Sequence, residues 1–447
     1  MKQYEKNNFR IFSQLFLILT FFTILSYIFN LYLNQENFYF YYCDEVVNYD
    51  INLNGSSLNL NYVFSCDEPK YFYILDNPSL ILSAENYYQQ RPLYLLSAIL
   101  IKVTLTGIFS VFQLTIPLVN QLSFLILQIL ILATQGMILR KIITNFNNVS
   151  VVNNGILSLI IFLNPMNKWS LFQPGHQNLT TLIFIVGVYI LQNKRNQSLF
   201  LPLFIGVMFL FHRSAAILVL VMLLKNILNF ESYKKYFTDI LKILSNFSVP
   251  YLLFRISIFT SGNTLNDNQV GEYKQFTWIL DFISGKDTIY SGITTGWYCQ
   301  KIPNFLLCYF IDNVKTIIYL STIIILILIL RKDANLSKLP FDKFRPIILN
   351  FLLFYLFWMF IGWYPPVRFS FYSIGNLVII LFTTLFFSMS DRYVKNISLL
   401  IYSYFFLLIN HWNSPKILEF TIINIVVLVF LFGILFFKSR NFKIFSK

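Results

Sequence analysis

The sequence has 447 residues, of which 56% are hydrophobic and 19% aromatic, whereas only 12% are charged. An ordinary soluble domain has about 25% charged residues, so the composition excludes a chain built from soluble domains and predicts a polytopic membrane protein. The net charge of +14 does not indicate nucleic-acid binding, because the basic residues concentrate in the short segments between apolar runs. Cytoplasmic loops of membrane proteins have such an excess of Lys and Arg.

The first apolar run, 11–33, follows a short basic N-terminus and has no small-residue cleavage site. We interpret it as an uncleaved membrane helix that runs from inside to outside. Segment 34–115 is then a first outside loop. Its last part, 93–112, is apolar but interrupted by polar residues, and we predict an interfacial helix there, because the cleaner run 116–139 then returns and leaves the basic pair after it inside.

Ten further apolar runs are predicted to cross the membrane. They are 155–163, 179–191, 199–211, 214–224, 247–260, 316–330, 346–363, 369–389, 397–412 and 417–437. The first four are short, which leaves room for a cavity at their outer ends. Segment 261–312 is polar and is predicted to be the second outside loop.

The predicted architecture is a single all-α integral membrane domain over 1–447, with about twelve transmembrane helices and both termini inside. The charges support this orientation. Of the 34 Lys and Arg residues, 22 fall on predicted inner segments, but only 6 of the 20 acids do. This asymmetry is typical of a multi-pass protein oriented by its positive inner loops.

The first outside loop contains the one strongly acidic stretch of the sequence. Between positions 36 and 85 it has eight acids against the single base Lys70. The tripeptide Cys-Asp-Glu occurs twice, at 43–45 and 66–68. A polar loop between membrane helices is where chemistry is expected, although any one of these acids could simply be solvated. The candidates are the pair Asp44 and Glu45, with Asp67 and Glu68 as a secondary acidic cluster.

All four cysteines fall in the two predicted outside loops, Cys43 and Cys66 in the first and Cys299 and Cys308 in the second. Four cysteines allow three pairings, and local pairing within each loop needs no long-range assumption. We therefore predict two local disulfides and an oxidising outer compartment such as a periplasm, with four unpaired thiols as the alternative. A bridged first loop would draw its two Asp-Glu pairs together, and clustered carboxylates need a basic partner, a bound metal or a retained proton.

Basic residues occur at several predicted outer ends of spans. They are Arg91 before Pro92, His176, the neighbours His212 and Arg213, and Arg368. Such side chains suit a phosphate ligand. Each also has an ordinary alternative, because arginine can reach lipid headgroups or anchor a helix end and a lone histidine is more often structural. Arg255 lies deeper in its span, and the cost of a charge there predicts a partner.

The outside face thus presents an acidic pair soon after the first span, then Arg-Pro-Leu-Tyr at 91–94. Segment 204–224 pairs two short apolar runs around an arginine, and 365–382 has two prolines and an arginine before aromatic residues. This pattern resembles the GT-C superfamily of membrane glycosyltransferases, which use sugars linked to polyprenyl phosphate. Members of that family have an Asp or Glu in the first outside loop, which closes near a basic-Pro-Pro-Leu-Tyr motif.

The resemblance implies an inverting sugar transfer. The membrane would be the inner (plasma) membrane of a bacterial cell, with the active face outside. Asp44 or Glu45 would act as the base on the acceptor hydroxyl. The departing lipid phosphate would be neutralised by Arg91, His176, His212, Arg213 and Arg368. Some family members use a divalent metal ion at the acids and others do not, so a metal stays open.

The partners implied are a polyprenyl-phosphate-linked sugar donor and a lipid, glycan or protein acceptor, with no nucleic acid. Two other functions remain compatible with the sequence. An O-antigen-type polysaccharide polymerase would rely on the later outside loop, so the acidic pair of the first loop would be dispensable. A lipid-linked sugar flippase or another transporter would carry ionisable groups in the middle of its spans.

Overall fold

The computed structural model of the chain describes 2–33, 50–53, 56–59, 68–83, 91–110, 116–147, 152–164, 167, 171, 178–193, 200–263, 284, 313–314, 317–318, 320–321, 344–360 and 373–388. The chain divides into two compact units, Met1–Gly271 and Glu272–Lys447, and each is described by itself.

The first unit is helical apart from one hairpin, as far as it is described. Its helices are α1 (Lys2–Leu33), α2 (Glu68–Asp76), α3 (Pro92–Phe109), α4 (Ile116–Asn147), α5 (Asn154–Leu163), α6 (Asn178–Gln192), α7 (Phe200–Phe211), α8 (Ala216–Leu228) and α9 (Tyr233–Thr260). Short 3-10 turns cover Pro78–Leu82 and Arg213–Ala215. The hairpin lies in the acidic loop, where β1 (Asp50–Leu53) pairs antiparallel with β2 (Ser56–Asn59).

Helix α4 is the centre of the first unit, and it packs against α1, α3, α5 and α6. Its apolar side chains, such as Leu132 and Ile143, are fully buried between these neighbours. Gln128 and Gln135 on the same helix are also fully buried. Seven positions are about two helical turns, so both amides lie on one face of α4.

A second packing contact joins α7 to α9. Gly206 on α7 faces the backbone carbonyl of Phe247 and the ring of Pro250, and it has no room for a side chain. Phe209 packs edge-on against the rings of Phe247 and Tyr251 at centroid distances of 5.4 and 5.6 Å. Glycine thus lets these two helices approach closely, as small residues do between membrane helices.

Three helical stretches in the described part of the chain are long and apolar enough to cross a membrane: Asn8–Ser26, Val119–Asn145 and Tyr233–Thr260. They support the prediction of a membrane protein. Six shorter apolar helices lie within or close to predicted spans or the predicted interfacial helix. The total of about twelve spans and the GT-C-like fold stay predictions.

Helix α9 differs from its predicted span, 247–260, because it begins fourteen residues earlier, at Tyr233. Those residues lie between the predicted spans 214–224 and 247–260, in a segment whose lysines predict an inner position. Their helix starts at Ser232, whose hydroxyl accepts a hydrogen bond from the Lys235 amide at 3.3 Å. An ion pair of 2.5 Å between Lys235 and Glu231 adds to this first turn. Local capping therefore extends the helix beyond its apolar part.

The second unit contributes α10 (Arg345–Phe360) and α11 (Asn376–Ser388), which pack against each other. They correspond to the predicted spans 346–363 and 369–389. Phe354 and Ile379 are fully buried. Tyr355 donates a hydrogen bond to Asn313 Oδ1 at 2.5 Å, which joins α10 to an earlier segment of the same unit.

Candidate functional site

Most of the predicted site residues lie outside the described residues. These are Cys43, Asp44, Glu45, Cys66, Asp67, His176, Cys299, Cys308 and Arg368. The proposed base, the disulfides and part of the phosphate site therefore stay predictions. Glu68 is placed as the first residue of α2. Arg91, His212 and Arg213 are described. Arg91 contacts helix α2 (residues 68–76), by which the acidic loop returns to the helix bundle and which is called here the arm.

That arm ends in a polar cluster at one end of α4, formed by Asp76, Lys102 and Asn120 and called here the rim cluster. Lys102 Nζ lies 2.5 Å from Asp76 Oδ1 and donates to the Leu75 carbonyl at 3.0 Å. Asn120 Nδ2 donates to both Asp76 carboxylate oxygens, at 3.3 and 3.4 Å. The cluster joins α2, α3 and α4 at a single level.

A second level lies further along α4, where Gln128 Nε2 donates to the Tyr94 hydroxyl at 2.8 Å. Gln128 is eight positions after Asn120, which is about 12 Å at the rise of an α-helix. On α3, Lys102 is likewise eight positions after Tyr94. Two cross-links with equal spacing on both helices require α3 to run antiparallel to α4, side by side.

Arg91 lies next to this second level, at the start of α3. It is three positions before Tyr94, so it is about 16 Å from the rim cluster along the helix axes. Its guanidinium donates to the Tyr71 hydroxyl on α2 at 3.3 Å. The Tyr71 ring packs against Tyr94 and Phe124 at centroid distances of 6.3 and 5.7 Å. The acidic loop therefore returns to α3 through a contact with the predicted phosphate ligand.

The second level continues into a buried amide network. Asn178, at the start of α6, donates to Gln128 Oε1, and its backbone carbonyl accepts from Gln135 Nε2 at 2.8 Å. Gln135 and Asn167 exchange two hydrogen bonds, at 3.2 and 2.9 Å. The Asn178 Oδ1 atom is buried and has no hydrogen-bond partner among the described residues. Uncharged amides thus line the level next to Arg91.

The short helices α5 and α6 extend only part of the way along α4. Arg140 marks the far end of this stretch of α4, about 30 Å from Asn120, and its guanidinium donates to the Val152 carbonyl at 2.9 Å and to Asn154. Helix α5 therefore starts at the Arg140 end, and its length of about 14 Å takes it halfway toward the rim cluster. Helix α6 starts at that half-way level. The prediction that the runs 155–163 and 179–191 form short helices is confirmed.

His212 and Arg213 lie toward the same end of α6 as Asn178. Lys225 on α8 donates to the Asn193 carbonyl at 2.6 Å, which fixes the other end of α6. The turn Arg213–Ala215, about 18 Å from Lys225 along α8, contacts α6. The buried His212 ring caps this turn, because its Nδ1 accepts from the Ser214 amide at 3.2 Å and lies 2.6 Å from the Ser214 hydroxyl.

Helix α1 ends near the level of the rim cluster. Gln14 accepts from Asn154 at 2.8 Å, and the Phe22 and Phe162 rings lie 5.8 Å apart. These two contacts are eight positions apart on both α1 and α5, so the two helices run parallel. Leu33 is nineteen positions after Gln14, or about 28 Å. The C-terminal end of α1 therefore lies near the rim level.

Neither the rim cluster nor the amide network was predicted from the sequence. Lys102 was noted only as an interruption of an apolar run. Gln128 and Gln135 carried a usable signal, since two polar residues two turns apart in an apolar helix share one face. The partner predicted for Arg255 is present, because its guanidinium lies 5.1 Å above the Tyr251 ring. Among the described residues, no group of three His, Cys, Asp or Glu side chains could hold a metal ion.

The chain matches no known family model, and it shows no significant similarity to a curated protein or to a solved structure.

Proposed function

We propose that the protein is an integral membrane glycosyltransferase that transfers a sugar from a polyprenyl-phosphate donor to an acceptor hydroxyl on the outer face. The observation that carries the proposal is the position of Arg91. It precedes α3 by one residue and Tyr94 by three, and Tyr94 accepts a hydrogen bond from the buried amide network. Its guanidinium contacts Tyr71, which belongs to the same loop as the predicted base. A cation and a catalytic acid would thus be provided by one loop.

The proposed depth of Arg91 follows from the length of α4. About 30 Å separate Asn120 from Arg140, and the hydrocarbon core of a bilayer is also about 30 Å thick. With Arg140 on the inner side, as the charge distribution predicts, the rim cluster would lie at the outer boundary. Arg91 would then lie about 16 Å below that boundary. Helix α3 would therefore run into the membrane beside α4, rather than lie at the interface as predicted for 93–112. A charge at this depth is costly and therefore favours a functional role.

The chemistry of this level suits the donor. The guanidinium offers two parallel N–H groups to a phosphate, and Arg213 would contribute a second cation from the neighbouring turn. Neutral amides can bind sugar hydroxyls without attracting other ions.

The reaction would use the acidic loop for its base. Asp44 or Glu45 would take the proton of the acceptor hydroxyl while the bond between the sugar and the lipid phosphate breaks. The phosphate would leave as an anion, stabilised by Arg91 and the other basic residues. A divalent metal ion at the acids remains compatible with the proposal.

A donor-binding measurement tests the role of Arg91. The purified protein in nanodiscs is titrated with a polyprenyl-phosphate sugar, and Arg91→Gln is compared with Arg91→Lys. We expect Arg91→Gln to weaken donor binding by about tenfold to a hundredfold, because a charge-assisted phosphate contact is lost, and Arg91→Lys to weaken it less.

Arg255→Gln is the matched control, since this arginine already stacks on Tyr251 of its own helix. It should bind the donor like the native protein. Equal donor binding by the native protein and Arg91→Gln would remove the basis of the proposal, and the polymerase or the transporter would then be the better interpretation.

A further inference from the structure

The rim cluster has a property that the proposed function does not use. Asp76 is the last residue of α2, so its contacts hold the end of the arm by which the acidic loop returns to the bundle. We propose that Lys102 and Asn120 form a latch that keeps this arm, residues 68–76, closed against α3 and α4. Lys102 is then a positioning residue for the arm.

The contacts of Lys102 are those of a latch rather than of a surface ion pair. Its ammonium binds the Asp76 carboxylate at 2.5 Å and the Leu75 carbonyl at 3.0 Å, so it holds both a side chain and the free end of helix α2. A cation at a helix C-terminus also interacts favourably with the helix dipole. Asn120 adds a hydrogen bond to each carboxylate oxygen.

The surroundings of Lys102 indicate that this charge has a specific role. Its helix exposes large apolar side chains, with Leu100 at 69% and Val103 at 65% relative exposure. The Lys102 side chain is only 16% exposed, whereas that of Asp76 is 42% exposed. An ammonium group on a largely buried side chain costs free energy unless an anion lies beside it. The arm supplies that anion only when it is closed.

The rest of the arm docks on the bundle through one apolar face. On its inner face Tyr71, Phe72 and Leu75 are buried, whereas Tyr73 on the opposite face is 62% exposed. Phe72 packs on Phe124 of α4 at a centroid distance of 6.2 Å. The arm thus has one apolar face, one tie to Arg91 near its start and one tie to Lys102 at its end. Losing the second tie would free the end of α2 first.

Hydrogen exchange on the full-length protein in nanodiscs tests the latch directly. In Lys102→Met, which keeps the length of the side chain without its charge, we expect amides 71–77 to exchange about tenfold faster than in the native protein. Amides of α6 should be unchanged. Lys102→Arg should restore slow exchange, because it restores the cation. Thr104→Val, two positions further on α3, is the matched control and should behave like the native protein.

Double variants separate a latch from general destabilisation. If Lys102 acts through Asp76, adding Asp76→Asn to Lys102→Met should accelerate exchange of the arm little further. Unchanged arm exchange in Lys102→Met overturns the latch, and so does equal acceleration in the arm and in α6. Additive effects of the two substitutions would also overturn it.

The consequence for catalysis rests on the proposed function. An arm that is open part of the time should raise the KM for the donor several-fold and leave kcat nearly unchanged, because Arg91 is misplaced only in the open state. Hydrogen exchange tests the latch, whereas transferase kinetics test the proposed function, so the two proposals can fail independently. A mobile arm with no transferase activity in the native protein would refute the proposed function and leave the latch standing.

Discussion

Replacing Gly206 by alanine tests the packing of the first unit at its closest helix contact. A Cβ atom at this position would overlap the Phe247 carbonyl oxygen and lie 3.0 Å from both Cγ and Cδ of Pro250. These are backbone and ring atoms, which cannot rotate away. Helices α7 and α9 must therefore separate, and overpacking of this kind costs about 1–3 kcal/mol.

Two other glycines in the same unit provide a graded comparison. At Gly107 a new Cβ would have no neighbour within 4 Å, so Gly107→Ala should stabilise its helix by about 0.5–1 kcal/mol. At Gly136 the nearest atoms, 3.1 Å away, are the terminal methyl groups of Ile161 and Leu15, which can move. Gly136→Ala should therefore fall between the other two.

The free energy of unfolding of the three variants can be measured by titration with denaturing detergent in mixed micelles. The expected order of stability is Gly107→Ala, then Gly136→Ala, then Gly206→Ala. A Gly206→Ala protein as stable as Gly107→Ala would show that α7 and α9 do not meet at this glycine.

Three further predictions concern topology, covalent structure and the amide network. A reporter at Gly55 should lie outside and one at Lys234 inside; the reverse result would invert the orientation derived from the charges. Peptide mapping without reduction should link Cys43 to Cys66, whereas free thiols at both positions in promptly alkylated membranes would contradict the disulfide. Gln128→Leu should destabilise the protein by about 1–3 kcal/mol, because it removes the Gln128 bonds to α3 and α6. Unfolding that matches the native protein would show that these bonds contribute little.

The sequence predicted a helix well where the helix begins and ends together with its apolar run. Helices α6 and α7 match the runs 179–191 and 199–211 within one residue. The predicted helix boundaries were wrong where capping or charged residues extend a helix beyond its apolar part. Helix α9 begins at the cap Ser232, and α1 continues back through the basic N-terminus to Lys2. Apolar periodicity does not report such extensions, because they are stabilised locally.

The site was harder to predict because its polar groups come from distant parts of the chain. Arg91 was selected from its own neighbourhood in the sequence, and its contact with Tyr71 adds to that selection. The rim cluster joins residues 26 and 44 positions apart. Nothing local distinguishes Lys102 from a lysine that reaches to lipid headgroups, so only the packing of α2 on α3 and α4 identifies it.

The most direct measurement of the central claim is sugar transfer by the purified protein with a polyprenyl-phosphate sugar as donor. The native protein should release the lipid phosphate in proportion to the sugar transferred. One of Asp44→Asn and Glu45→Gln should lower turnover by about a hundredfold, because an amide keeps the shape of the carboxylate but cannot accept a proton. Donor binding should persist in both variants. A correctly inserted double variant that retains full activity would contradict the account.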